Sequence, residues 1–349
     1  MRALLAAAAV ALAVPLPAAA QGQPAPVDAC TTSDKRLGEL SGLVSDGERW
    51  FAVNDGGTRS QVFVLDPRTC AVERVISGPV DPYDVEDLAR GADGTFWLSD
   101  TGDNNRKRET VALIALTPAG KTTLHRLTYP DGPHDTEALL LAKDGTPYLV
   151  AKSPFGVSDV YRPAGPLATP GPTALEHLGA LTVDSTTTQG GPVAPSIGSM
   201  AVTGGSVSAD GTVVALRTYT DAYLFAAPDG DVGAALLQGE PVRIPLPGEK
   251  QGEAIALQPD GSLVSASEGV GEPVKVVAGA TALLAGDKPE DDQQRAGATP
   301  GTAAPASDQP RAAANGSSGL STIPALGVTG VVVAGILYLM HRRAARKRG

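Results

Sequence analysis

Glu86-Asp-Leu-Ala-Arg-Gly-Ala-Asp93-Gly94, followed by Phe96-Trp97-Leu-Ser, decides the fold, because its pattern recurs four more times. Glu39 to Gly47 precedes Trp50-Phe-Ala-Val, and Glu137 to Gly145 precedes Tyr148-Leu-Val-Ala. Thr203 to Gly211 precedes Val213-Val-Ala-Leu, and Glu253 to Gly261 precedes Leu263-Val-Ser-Ala. Each Asp-Gly stands between two short apolar runs. That is a hairpin signal, since Asp and Gly accept the positive φ of a tight turn. Second hairpins follow within the repeats. Gln61–Leu65 and Cys70–Ile76 flank Asp66-Pro-Arg-Thr, and Val111–Leu116 and Lys121–Leu127 flank Thr117-Pro-Ala-Gly. Four strands per repeat at this spacing describe a propeller blade.

The expected fold is therefore an all-β β-propeller of five blades, with one C-terminal transmembrane helix added. The N-terminal arm supplies a strand to the last blade. Six blades is the alternative count, if the Pro/Gly/Thr-rich insertion around residues 163–196 hides a degenerate repeat. No amphipathic helix of useful length stands out, which argues against a parallel sheet with crossover helices.

The chain ends predict export and anchoring. Arg2, the apolar run Leu4–Leu16 and the small residues before Gln21 read as a signal peptide over 1–20, cleaved after Ala20. Residues 28–285 form the propeller. Residues 286–322, rich in Ala, Pro, Gly and Ser, read as a flexible stalk. Residues 323–340 carry no charge and are long enough to span a bilayer. The basic tail, residues 341–349, then faces the cytoplasm by the positive-inside rule. The expected location is the cell membrane, single-pass, with the bulk of the chain extracytoplasmic.

A net charge of −10, despite that basic tail, argues against nucleic acid as a partner. Cys30 and Cys70 are the only cysteines, and in an oxidising compartment they predict one disulfide. The histidines, His125, His134, His177 and His341, lack metal-ligand spacing. No G-x-S-x-G elbow, P-loop or dinucleotide glycine pattern occurs. Trp50 and Trp97 read as equivalent core positions of two blades.

The innermost strand of a propeller lines the axis, so polar residues near the Asp-Gly hairpins are the candidate site. The repeated Glu (Glu39, Glu86, Glu137, Glu253) reads first as a structural lock between blades. Ser99-Asp100-Thr-Gly-Asp103-Asn-Asn departs from the repeat and offers hard oxygen ligands suited to Ca²⁺. Asp100, Asp103, Glu86 and Glu137 are the candidate metal ligands. Asn54, Asp55, Lys152, Arg217 and Glu253 are the candidate ligand-binding residues.

Glu39-Leu-Ser-Gly-Leu, Asn54-Asp-Gly-Gly, Val85-Glu-Asp-Leu-Ala, Asp100-Thr-Gly-Asp-Asn and Gly252-Glu-Ala-Ile-Ala-Leu resemble the secreted propellers grouped as "esterase-like activity of phytase" proteins. They are also similar to actinobacterial membrane-anchored propellers. The resemblance implies a propeller with an acidic, calcium-dependent site. By its logic Asp100, Asp103, Glu86 and Glu137 take the metal part, and Lys152 and Arg217 the phosphate part. No complete phytase signature is present. Two functions follow: a surface module binding an extracellular ligand or protein, or a Ca²⁺-dependent phosphoesterase or esterase. The missing catalytic constellation favours the first.

Overall fold

The computed structural model describes residues 24–285. Strand β1 (Val27–Thr31) comes first, and five four-stranded units follow. Unit one is β2 (Leu40–Ser45), β3 (Trp50–Asn54), β4 (Gln61–Leu65) and β5 (Val72–Ser77). Unit two is β6 (Val85–Arg90), β7 (Phe96–Asp100), β8 (Val111–Leu116) and β9 (Thr122–Thr128). Unit three is β10 (Thr136–Leu141), β11 (Pro147–Ala151), β12 (Val157–Pro163) and β13 (Thr173–Thr182). Unit four is β14 (Val202–Val207), β15 (Val213–Thr218), β16 (Asp221–Ala226) and β17 (Val242–Pro245). Unit five takes β18 (Gly252–Leu257), β19 (Leu263–Ser267) and β20 (Pro273–Val277), and is completed by β1.

The hairpin chemistry explains the repeat. All five turn glycines, Gly47, Gly94, Gly145, Gly211 and Gly261, have φ between 80° and 91°. Asp46, Asp93, Asp144, Asp210 and Asp260 each accept the N–H two residues further on. The turn thus satisfies its own backbone with a local side chain. Strands β2, β6, β10, β14 and β18 pack on one another in cyclic order and surround an axis. Five apolar clusters fill the spaces between neighbouring units, one per junction.

Two parts of the fold expectation are corrected. Hydrogen bonding makes four sheets rather than five separate blades: three of four strands and one of eight. Units two and three merge where β13 runs parallel to β9 through Thr173↔Leu127 and Ala174↔Thr128. The segment before β13 lies along β9, with Arg126 N–H donating to Pro170 O at 3.0 Å. The insertion thus lengthens unit three and makes no sixth unit. Secondly, no described helix is long and apolar enough to cross a membrane. The expected transmembrane helix at 323–340 falls outside the described residues, as do the signal peptide, stalk and tail. Two short helices are present, α1 (Pro195–Gly198) and α2 (Val232–Gln238). Asp231 caps the second by accepting Ala234 N–H at 2.9 Å.

Two ties hold the ring. Cys30 and Cys70 form a disulfide that joins β1 of unit five to the β4–β5 turn of unit one. Asp87 is fully buried at the axis. It accepts N–H bonds from Leu88 of its own strand, Leu139 of unit three and Gly205 of unit four, at 2.8–2.9 Å. Burial pushes its carboxyl well above the usual range, against the pull of those three donors.

Replacing both Cys30 and Cys70 by Ala opens a loop of 40 residues. Denaturant unfolding should show a loss of about 4 kcal/mol on the chain-entropy account. Asp87→Ala strands two buried N–H groups on other units. It should cost about 2–5 kcal/mol in the same assay.

Candidate functional site at the axial mouth

Strand register shows which residues are equivalent. The first strand of each unit carries a bulge near its start. The bulged residues are Ser41, Glu86, Glu137, Thr203 and Glu253. Glu39 lies two residues outside this series, because the first Asp-Gly turn begins closer to its strand. Phe96, not Trp97, matches Trp50 by the same register. Trp97 instead stacks on His125, with ring centroids 5.6 Å apart.

The bulge is where units meet. Ser41 Oγ donates to Val85 O at 2.8 Å, and Thr203 Oγ1 donates to Gly252 O at 2.9 Å. These hydroxyls lock each unit to the next. At three other positions the bulge carries a carboxylate. Two residues earlier in sequence stand Glu39, Asp84 and Asp135 in units one to three. Just past the second strands of units one and three stand Asp55 and Lys152.

These positions converge on two buried triads, Asp55/Asp84/Glu86 and Glu86/Asp135/Glu137. In each, one oxygen per residue lies within 4.8 Å of the others, and Glu86 belongs to both. The five side chains come from units one, two and three and are at most 8% exposed. Lys152 Nζ lies 2.5 Å from Glu137 Oε1 and 5.1 Å from the Tyr219 ring centroid. Asp135 Oδ1 accepts Asp103 N–H at 2.8 Å, and Thr101 Oγ1 donates to Thr136 O at 2.7 Å. Gly102 leaves the room the carboxylates use: a Cβ there would stand 2.0 Å from Glu86 Oε1 and 2.6 Å from Asp84 Oδ2. Two ionised carboxylates at such separations repel by roughly 3–4 kcal/mol at an effective dielectric of ~20. Cations or protons must offset that repulsion. An all-oxygen donor set matches a hard divalent ion such as Ca²⁺.

The expected site residues divide. Glu86, Glu137 and Asp55 enter the triads. Asp100 and Asp103 lie outside them. Asp100 Oδ1 accepts N–H bonds from Tyr83 and Asp84, at 3.1 and 2.9 Å, and pairs with Arg108 at 3.1 Å. Burial raises its pKa, and Arg108 opposes that rise. Asp103 Oδ2 accepts Lys107 and Arg108 N–H at 2.6 and 2.7 Å, so it caps a turn. Asn54 braces its own loop, its Oδ1 accepting Glu39 N–H at 2.8 Å. Glu253 accepts from Gln251 Nε2 at 2.9 Å and belongs to neither triad.

Arg217 is wholly buried between units four and five. It pairs with Glu249 at 2.7 Å and donates to Ser265 Oγ and to the carbonyls of Thr218, Ala254 and Ala266. It is a structural tie with no donor turned to the mouth ligands. Asp84 and Asp135 were not among the expected metal ligands, although Asp135 stood out beside Glu137. Their signal was the doubled Asp-x-Glu, Asp84-Val-Glu86 and Asp135-Thr-Glu137.

No protein-family model and no curated protein matches the chain. Solved structures similar to it include a gluconolactonase from Xanthomonas campestris, at 13% identity and TM-score 0.39, covering 68% of this chain and 71% of that one. A streptogramin B lyase is similar at 10% identity and TM-score 0.39, covering 70% and 95%. A PQQ-bound aldose sugar dehydrogenase from Streptomyces coelicolor is similar at 9% identity and TM-score 0.40, covering 72% and 96%.

Arg217→Met leaves Glu249 as a buried unpaired charge and should cost about 3–5 kcal/mol in denaturant unfolding. Cation binding at the mouth should be unchanged, as measured by calorimetry under conditions where the variant remains folded.

Proposed function

We propose that the chain is a binding module whose axial mouth is organised by a divalent cation, calcium by preference. The observation that carries this reading is the sharing of Glu86 by two buried carboxylate triads. Calcium accepts six to eight oxygens in flexible geometry, whereas magnesium demands a near-ideal octahedron and keeps its waters. Carboxylates drawn from loops and bulged strands of three units suit the former. Glu86 would hold the ion with Asp55 and Asp84 on one side or Asp135 and Glu137 on the other, and Gly102 leaves space beside Glu86 and Asp84.

Burial of these ligands supports a loop-organising ion over a reacting one. The phosphoesterase alternative needs cationic groups facing a phosphate. Arg217 is committed inside the ring, and Lys152 is held against Glu137. The binding reading is therefore preferred. The Cys30–Cys70 disulfide suits an oxidising compartment, and we place the module outside the cytoplasm. Its acidity disfavours nucleic acid as the partner.

Calcium titration of the chelator-stripped full chain by calorimetry, with melting followed in parallel, tests the reading. Binding should raise stability by about 2.7 kcal/mol at a hundredfold excess over Kd. Glu86→Gln should abolish both heat and stabilisation while the variant remains folded. Absence of heat and of any melting shift at millimolar calcium would sink the reading.

A further inference from the structure

Asn54-Asp55-Gly56-Gly57 stood out in the sequence, yet the cation reading uses only Asp55. The residues around it shape a second feature. A cavity of about 220 Å³ opens between units one and two. Arg59, Gly56 and Gly57 line its rim, and Phe63, Val85 and Leu98 lie deeper. Asp55 is not part of this lining.

The polar groups in the cavity fall into two kinds. Some are committed. Arg36 pairs with Asp34 at 2.5 Å and sits over the Phe63 ring at 5.3 Å, so it acts as a wall. Asn54 Nδ2 donates to Gly56 O at 3.3 Å and fixes the loop. Others are available. Arg59 is exposed and pairs with no carboxylate among the described residues. Gly56 and Gly57 donate no N–H bond among the described residues. Arg59 shares the lining with the Gly56 and Gly57 backbone, and a guanidinium and backbone N–H groups are both donors suited to an oxyanion.

The surface continues from there. Pro82 lines the cavity, and the next residue, Tyr83, is 64% exposed. Arg108 lies 4.7 Å over the Tyr83 ring and holds it in place. The turn before Arg108 carries Arg106 at φ 49°, a left-handed conformation that a non-glycine residue adopts at some cost. Asp103 stabilises this turn by capping the N–H groups of Lys107 and Arg108. Arg106 and Lys107 are exposed, and neither pairs with a carboxylate among the described residues. Arg59, Arg106 and Lys107 are exposed cations on a chain of net charge −10, with exposed Asp81 and Glu109 in the same segments.

We infer that this cavity and these cations bind a polyanionic ligand. One oxyanion group, carboxylate or phosphate, seats on Arg59 and the Gly56–Gly57 amides. Its apolar part contacts Phe63, and further charges lie over Tyr83 toward Arg106 and Lys107. None of these cavity residues is a cation ligand, although Gly56 directly follows Asp55.

The test uses the full chain, stripped of metal on a chelating resin and kept in metal-free buffer of monovalent ions at low ionic strength, which excludes binding through a metal. Pyrophosphate and tricarballylate are titrated separately by calorimetry, and the probe that binds more tightly identifies the group as phosphate or carboxylate. Arg59→Gln should weaken that binding by about tenfold, the value of one charge-assisted hydrogen bond. Joint Arg106→Gln/Lys107→Gln replacement should weaken it less and flatten its salt dependence. Both variants should keep the wild-type melting temperature. Binding of neither probe at millimolar concentration would overturn the inference, as would equal affinity in Arg59→Gln.

Discussion

Five inner strands can meet around one axis only if the polar backbone they bring together is satisfied there. Asp87 does this. Its carboxylate spans from β6 to N–H groups on β10 and β14, tying unit two to a neighbour and to a unit beyond it. Gly42 allows the matching close approach from unit one, where a Cβ would stand 2.5 Å from Leu88 N. The cost of burying this carboxyl is reflected in its raised pKa. With the centre closed, the axis has two separate ends. The Asp-Gly end holds a cavity of about 520 Å³, walled by residues such as Val44, Leu139 and Leu257. The other end is the acidic mouth.

The mouth follows from the same constraint. Each bulge lets its first strand bend at the axis while the rest of the hairpin keeps register. Where the bulged residue is Ser41 or Thr203, its hydroxyl donates to the neighbouring unit. A carboxylate cannot donate that bond when ionised. At Glu86 and Glu137 the bulges bring acceptors together, beside Asp84 and Asp135 from the preceding turns. A structural position of the repeat thus carries a cluster of buried carboxylates on one side of the ring. Units four and five took another course, with Arg217 and Glu249 buried as an internal pair.

The turns and the disulfide were legible in sequence because their causes are local or few. Asp-Gly hairpins need only neighbouring residues, and two cysteines allow a single intrachain pairing. Register was not legible. Counting back from Asp46 placed Glu39 in the glutamate series, but its turn starts two positions earlier than the others, so Ser41 takes that place. Asp100 and Asp103 had the composition of ligands. The Arg106-Lys107-Arg108 run that follows them was the local sign of competition, and Arg108 with nearby backbone N–H groups does occupy them. Arg217 directly follows the apolar run Val213–Leu216, and its burial against unit five depends on contacts distant in sequence. The β9–β13 pairing that merges two sheets is likewise nonlocal.

The central claim is that one side of the mouth holds a divalent ion through Glu86 and its neighbours. Anomalous diffraction from crystals soaked with manganese or a lanthanide locates such an ion without reference to activity. The expected result is a peak at Glu86, within the Asp55/Asp84/Glu86 triad, the Glu86/Asp135/Glu137 triad or both. A peak at Asp100 and Asp103 instead, or none at the axis in ordered crystals, would contradict it.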